Sequence, residues 1–169
     1  VNLGYRVIRY DNRDVGLSGK LHGRRAGGSL LPALARSFLG RRSESVYTLE
    51  HMADDAAELL DYLEIDRAHI VGASMGGMIA QIFAARYPDR TAGLGIIFSS
   101  NNSALLPPPA PKALLALIKG PSPDSPREVI VENSVRVSKI IGSPGYPASE
   151  EQLRAEAIEG YERSHYPQG

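Results

Sequence analysis

The stretch AHIVGASMGGMIAQ, residues 68–81, contains a strand pattern, a glycine–x–serine–x–glycine motif and a helix pattern, in that order. AHIVGA is short, apolar and β-branched, which is typical of a buried strand. MGGMIAQIFAARY, residues 75–87, is apolar on nearly every side, which is typical of a buried helix, and Pro88 ends it. The serine of the motif, Ser74, is therefore predicted to lie in a sharp turn between a strand and a helix.

The turn matters more than the motif, because chance alone gives such a motif in roughly one chain in six of this composition. A nucleophile elbow needs a strand that ends at the serine and a buried helix that begins there. Gly72 and Gly76 are the positions where side chains are expected to collide with the neighbouring strand and helix, and Gly77 lets the helix approach closely. We predict that Ser74 is a nucleophile and that the Met75 N–H binds the oxyanion, since free amides at a helix start attract negative charge.

Two other interpretations of this turn stay open. In one, Ser74 is a small residue that serves only the tight turn. In the other, the turn is a nucleotide-binding loop, which also follows a strand and opens a helix. That fingerprint wants glycine at position 74 and an acid after the next strand, where GIIFSS, residues 95–100, ends in serines.

The flanking segments extend the pattern to a parallel α/β sheet with crossover helices. GYRVIRYD, residues 4–11, reads as a first buried strand, and AGLGIIFSS, residues 92–100, reads as a third. Between the first strand and the strand before Ser74, Thr48 is a helix N-cap, followed by apolar residues at helical spacing to about Glu64. The intervening residues 16–46 read as a long loop, with one apolar patch that forms a short helix.

The composition changes after residue 100. NNSALLPPPAP, residues 101–111, is a proline-stiffened linker, and the chain beyond it reads as helices only. Ser125 and Ser149 each begin a capping box, the first with proline at the first helical position, and Gly142 is a stop. We therefore expect a partial core in residues 1–100 and an incomplete helical cap in residues 101–169.

Overall composition excludes several classes of protein. The chain has 169 residues, 43% of them apolar and 22% charged, as is usual for a soluble globular protein. Its formal net charge is zero, so nothing attracts the whole chain to nucleic acid or anionic membrane, and no run approaches the roughly 18 apolar residues of a membrane span. Without cysteine, it has no disulfide, thiolate metal site or cysteine nucleophile. No cofactor or metal is indicated, the cytoplasm is the favoured compartment, and the oligomeric state stays open.

Three quoted stretches carry a family resemblance: GYRVIRYDNRDVGLS at residues 4–18, YTLEHMADDAAELLDYLEIDRAHIVGASMGGMIAQIFAARYPDR at residues 47–90, and GIIFSS. Together they resemble the α/β-hydrolase superfamily. They are most similar to its actinobacterial carboxylesterase and lipase-like members and to the anthracycline methylesterases. The similarity covers roughly residues 4–100, and the helical remainder looks like that family's cap.

The resemblance implies a serine-dependent carboxylic ester hydrolase with a small-molecule ester substrate. It also implies a triad in the chain order serine, acid, histidine, and a second oxyanion donor from a histidine–glycine loop ahead of residue 4. Residues 1–169 lack these groups, so we expect an internal fragment that is nearly inactive alone. A non-catalytic ligand-binding or scaffold protein of this fold stays an alternative, as does a carbon–carbon bond hydrolase or cofactor-free haloperoxidase.

The remaining polar candidates are assigned structural roles. Surface or capping roles are expected for the four histidines, which are His22, His51, His69 and His165. Asp11 and Arg13 are expected to hold a turn through an ion pair and hydrogen bonds rather than to line a pocket. The basic cluster of Arg24, Arg25, Arg41 and Arg42 is expected to be a solvated loop. Candidates for an apolar pocket wall, which plain packing explains equally well, are Leu105, Leu106, Leu114, Tyr146 and Tyr161.

The resemblance implies that the strand before GYRVIRYD lies between it and HIVGA in the family's sheet, and we expect that strand to be missing from residues 1–169. We expect YRVIRY to stand roughly 9–10 Å from HIVGA, two strand spacings away, or to pair with it. HIVGA and LGIIFS, residues 94–99, should pair directly in either case. Bare strand edges favour aggregation, so a poorly soluble isolated polypeptide is expected.

Overall fold

The computed structural model describes residues 3–21, 46–101, 103, 106, 110–122 and 124–165. By their contacts, residues 3–21 and 110–165 belong to one compact unit and residues 46–106 to another. The short helix predicted within residues 16–46, the basic cluster, His22 and Leu105 lie outside the described residues. The predicted division into core and cap at residue 100 stays a prediction.

The unit of residues 46–106 contains two helices, α1 and α2, and two strands, β1 and β2. In chain order they are α1 (Leu49–Tyr62), β1 (Ala68–Ala73), α2 (Met75–Arg86), a 3-10 turn (Pro88–Arg90) and β2 (Thr91–Ile97). The strand, helix and strand predicted around Ser74 are confirmed to within a few residues at each end.

Helix α1 begins as its sequence predicts. Thr48 is the N-cap, and its backbone N–H donates to Nδ1 of His51 at 3.0 Å. His51 thus takes the third helical position that glutamate or glutamine usually holds in a capping box. The capping role expected for this histidine is confirmed.

The core of this unit lies between α1 and α2. The buried side chains of this cluster recur at helical spacing along each of the two helices. They are Met52, Ala53, Ala57, Leu60, Ile79 and Phe83. Phe83 is fully buried, and its ring lies 5.2 Å from the ring of Tyr87. Asp54 joins the two helices at the surface, where it accepts a hydrogen bond of 2.6 Å from the Tyr87 hydroxyl.

The two strands are parallel neighbours, as predicted. Ala68 lies opposite Thr91, and Ala73 lies opposite Ile97 at the other end of the ladder. Alternate residues of β1 are half-buried and exposed, and the exposed side includes Val71, whose accessible fraction is 65%. Among the described residues each strand has a single strand neighbour.

The prediction of a first buried strand in residues 4–11 is wrong for the described chain. Residues 5–10 form no strand, and Tyr5 and Val7 are exposed by 76% and 78%. A strand is defined by ladder hydrogen bonds to a neighbour. No described segment supplies such a ladder to residues 5–10, so they form no strand and stay exposed.

The unit of residues 3–21 and 110–165 contains three helices. They are α3 (Pro111–Ile118), α4 (Arg127–Ile141) and α5 (Glu150–Ser164). Helix α5 begins as predicted, because the Ser149 hydroxyl accepts a hydrogen bond from the Gln152 backbone N–H. Helix α4 ends at Gly142 as predicted but begins one residue late, with Pro126 instead of Ser125 at the N-cap and no side-chain cap bond.

Ion pairs join α4 to α5 along their length. Arg154 of α5 pairs with both Glu128 and Glu132 of α4, and Lys139 pairs with Glu150 at 2.5 Å. No residue of α5 is fully buried. Within the described ranges, no helix is long and apolar enough to cross a membrane.

Candidate active site

Ser74 occupies a strained turn between β1 and α2. Its dihedral angles are φ 51° and ψ −122°, and it is the N-cap of α2. These angles match the first central residue of a type II′ turn, the mirror image of type II, a position that glycine normally takes. A serine held there costs on the order of 1–3 kcal/mol, and such strain concentrates at functional sites. The residue is exposed.

Hydrogen bonds from both neighbouring elements hold this turn. The Ser74 N–H donates to the Ile97 carbonyl of β2 at 3.1 Å, which extends the ladder beyond the last strand pair. The Ser74 carbonyl accepts from the Gly77 N–H at 2.9 Å and from the Ser99 hydroxyl at 2.6 Å. Donors from α2 and from the segment after β2 thus hold the same carbonyl oxygen.

Two of the three glycines around Ser74 are where close packing requires them. A β-carbon on Gly72 would overlap the Gly76 carbonyl and lie 2.6 Å from the Gly77 nitrogen. A β-carbon on Gly77 would lie 2.5 Å from that of Ser99. The predictions for Gly72 and Gly77 are therefore confirmed.

The collision predicted for Gly76 is wrong. A β-carbon built on Gly76 meets no heavy atom within 4 Å. Its hydrogen points to the open side of α2, so Gly76 contributes its backbone, not its lack of a side chain, to the contact with Gly72.

Met75 is the first residue of α2 and is 43% exposed. Within the described chain, its backbone N–H donates to no acceptor, and neither does that of Gly76. The first amides of a helix lack intrahelical partners and form its positive end. The Met75 amide is thus available to an anion beside Ser74, and its role as an oxyanion donor stays a prediction.

The described histidines have other positions and partners. His69 lies in β1 and is exposed, and its ring occupies the space over Gly93, where a β-carbon would lie 2.6 Å from Nδ1. His165 follows α5 and stacks on Tyr161 with ring centroids 4.3 Å apart. In the described part of the chain, no hydrogen bond joins the Ser74 hydroxyl to a histidine.

Asp11 organises the loop that follows residues 5–10. Its carboxylate accepts from the Leu17 N–H at 2.9 Å and pairs with Arg163 of α5 at 2.7 Å. The Leu17 amide, followed by the Arg163 guanidinium, holds the pKa of Asp11 below its ordinary value of 3.8. Gly16, at φ 54°, leaves the space that this carboxylate fills. Turn bonds and an ion pair are therefore what Asp11 provides.

Neighbouring residues complete this loop. Asp14 has a left-handed φ of 65°, and its carboxylate accepts from the Leu21 N–H at 2.6 Å. Arg13 is half-buried in the same turn. The ion pair that anchors this loop to α5 is the one between Asp11 and Arg163.

The candidate pocket-wall residues belong to different segments of the chain. Leu106 is 46% exposed, and Tyr146 is 90% exposed in the turn between α4 and α5. Leu114 is half-buried in α3, and Tyr161 lines a cleft of about 470 Å³ between α4 and α5. Their part in a substrate pocket stays a prediction.

Ser99 and Gln81 are two residues of this site that the sequence alone did not indicate. Gln81 donates from Nε2 to the carbonyls of Gly77 and Ser100, at 3.0 Å each. The available signal was the pair of serines that ends GIIFSS, since carboxyl ends of neighbouring parallel strands meet at one edge of a sheet.

The chain is similar to known proteins. The family model described as alpha/beta hydrolase fold matches residues 1–118. The rhodomycin D methylesterase of Streptomyces peucetius is 26% identical over 171 residues, covering 91% of this chain and 51% of that protein. The poly(3-hydroxyalkanoate) depolymerase of Ectopseudomonas oleovorans is 31% identical over 101 residues, covering 59% of this chain and 33% of that protein.

Among solved structures, an N-acyl homoserine lactone degrading enzyme matches with a TM-score of 0.47 and 23% identity, covering 93% of this chain and 48% of that one. The chain thus spans about half the length of the methylesterase that it matches. The family model covers well over half of the chain. The chain therefore belongs to the alpha/beta hydrolase fold family.

Proposed function

We propose that the protein is a serine-dependent carboxylic ester hydrolase whose nucleophile is Ser74. The observation that carries the proposal is the conformation of this residue, which is strained, exposed and set between a parallel strand and a helix start. A turn of this kind in this family serves as a nucleophile elbow, which lifts a hydroxyl above the sheet edge. A serine used only for its size gains nothing from a backbone conformation that glycine adopts more easily.

Ester hydrolysis would proceed in two steps, acylation of Ser74 and hydrolysis of the acyl-serine. Ser74 Oγ attacks the ester carbonyl carbon and gives its proton to a general base, and the carbonyl oxygen becomes an oxyanion beside the Met75 N–H. The carbon–oxygen bond to the alcohol then breaks, and the alcohol leaves with that proton, so that an acyl-serine remains. Water attacks the acyl-serine by the same route, releasing the carboxylic acid and restoring the hydroxyl.

The general base is proposed to come from outside residues 1–169. His51 caps α1 and His165 stacks on Tyr161, so two of the three described histidines have structural partners, and the exposed ring of His69 lies over Gly93. A serine without a base is a weak nucleophile near neutral pH. We expect residues 1–169 alone to hydrolyse esters far more slowly than the intact gene product.

The substrate class is proposed to be small-molecule esters. The name of the Streptomyces peucetius relative, a methylesterase, supports an ester of a carboxylic acid. Met75 follows Ser74 in the chain, and Phe98 follows the end of β2. Both are exposed and present apolar surface to an acyl group or an alcohol group.

The test is ester hydrolysis by the intact gene product, with p-nitrophenyl esters of increasing acyl length as substrates. We expect Ser74→Ala to lower kcat by at least about 10³-fold. Ser143→Ala, in an exposed turn after α4, is the matched control and should keep full activity. Hydrolysis that survives in Ser74→Ala would refute the proposal and favour a non-catalytic elbow.

A further inference from the structure

We propose that Ser99 is a positioning residue for the oxyanion hole, an inference that rests on the proposed function. Its hydroxyl donates to the Ser74 carbonyl at 2.6 Å. That carbonyl and the Met75 N–H belong to one planar peptide unit, in which they point in opposite directions. A hydrogen bond that holds the oxygen therefore aims the N–H on the other side.

The same bond strengthens the Met75 N–H as a donor. Hydrogen bonds in a chain polarise one another, so a peptide whose oxygen accepts a proton donates more strongly from its nitrogen. The Gly77 and Met78 amides also reach the Ser74 oxygen, at 2.9 Å and 3.3 Å. Both of these amides belong to the first turn of α2, whereas Ser99 lies outside α2.

The backbone after β2 is bent to deliver this hydroxyl. Phe98 follows the last residue of β2 with a left-handed φ of 36°, a conformation that is strained for a bulky side chain. Phe98 is 79% exposed, so burial of its side chain does not explain the strain. The bend instead brings Ser99 back against the first turn of α2, where Gly77 leaves it room.

A separate anchor holds the same segment without touching the Ser74–Met75 peptide. Gln81 Nε2 bridges the Gly77 and Ser100 carbonyls at 3.0 Å each. Gln81 therefore offers a matched control, because its loss loosens the segment but leaves the Ser74 carbonyl its hydroxyl partner.

The experiment compares Ser99→Ala with Gln81→Met in the intact gene product, with p-nitrophenyl acetate as substrate and a boronic acid as transition-state analogue. In Ser99→Ala we expect kcat to fall about threefold to tenfold, the size of one lost hydrogen bond, with KM changed less than twofold. The boronic acid Ki should rise by the same factor. Gln81→Met should lower the melting temperature at least as much, with a smaller loss of kcat.

A kcat for Ser99→Ala within twofold of the unsubstituted protein, or equal losses of kcat in both variants, would overturn this inference alone. If Ser99→Ala does not fold, Ser99→Cys takes its place with the same two outcomes, since a thiol is a weaker donor of similar size. No hydrolysis dependent on Ser74 in the unsubstituted protein would instead overturn the proposed function, and this inference with it.

Discussion

Gly72 of β1 faces the Gly76 backbone of α2 so closely that no side chain fits between them. This contact sets the height of the helix start above the sheet, and Ser74 lies between its two partners. Gly76 itself has open space on its other side. Packing therefore requires glycine at position 72 of the motif but not at position 76.

Replacing these glycines separately tests that difference. Gly72→Ala places a β-carbon against backbone that cannot move without breaking the turn, and should destabilise the protein by about 1–3 kcal/mol. Gly76→Ala adds a good helix former in open space, and should be neutral or stabilising by up to about 1 kcal/mol. Urea denaturation of both variants measures the two free energies of unfolding. Equal losses at the two positions would contradict the packing described above.

The strain at Ser74 predicts an unusual order of stabilities. Glycine adopts φ 51° without a β-carbon penalty, so Ser74→Gly should be more stable than Ser74→Ala by about 1 kcal/mol. At Ser143, where φ is not positive, glycine should give no such advantage over alanine. Thermal denaturation of the four variants provides the comparison. An alanine variant at position 74 as stable as the glycine variant would show that the turn is not strained.

The contact of Asp54 with Tyr87 predicts a pH window for stability. The Tyr87 hydroxyl, followed by Arg86, holds the pKa of Asp54 below 3.8. The ionised Asp54 therefore stabilises the folded state above pH 3.8, and this stabilisation is lost as the pH falls through the lowered pKa. The hydrogen bond to Asp54 raises the pKa of Tyr87 above 10.0, so its contribution exists below that pH and is lost as pH rises further.

Tyr87→Phe should therefore lower the melting temperature at neutral pH, and this difference should shrink as acid protonates Asp54 in both proteins. Tyr62→Phe, at the exposed end of α1, is the control and should change neither value. A difference between Tyr87→Phe and the unsubstituted protein that stays constant as the pH falls through the titration of Asp54, followed by NMR, would exclude the ionised Asp54 as the cause.

The exposed side of the two-stranded sheet predicts self-association of residues 1–169 alone. Val71 and Ile97 are 65% and 47% exposed on neighbouring strands, and unpaired strand edges favour intermolecular pairing. Val71→Thr keeps the β-branched shape but adds a hydroxyl, so it should shift sedimentation towards the monomer. A monomeric sample of the unsubstituted polypeptide with a sharp, reversible melting transition would contradict this prediction.

The elements nearest Ser74 were predictable because each has a local cause. The capping residue Thr48, the apolar run of α2 and the stop at Pro88 act within a few residues of where they stand. The family was predictable from the order of these elements together with the loop around Asp11.

What the sequence did not reveal depends on distant partners. Residues 5–10 have a strand's composition, yet a strand also needs a neighbour. The ion pair of Asp11 with Arg163 joins residues 152 positions apart, and no local pattern indicates it. Ser99 likewise contacts Ser74 only because β2 pairs with β1, and the sequence around Ser99 does not indicate which strand is its neighbour.

Covalent labelling of the intact gene product by a fluorophosphonate, followed by peptide mass spectrometry, tests the central claim most directly. An activated serine attacks phosphorus and displaces fluoride, which leaves a stable adduct on its oxygen. We expect one adduct, on Ser74, at a rate typical of serine hydrolases and absent from Ser74→Ala. An unmodified Ser74, or an adduct on another serine that persists in Ser74→Ala, would show that this hydroxyl is not the nucleophile.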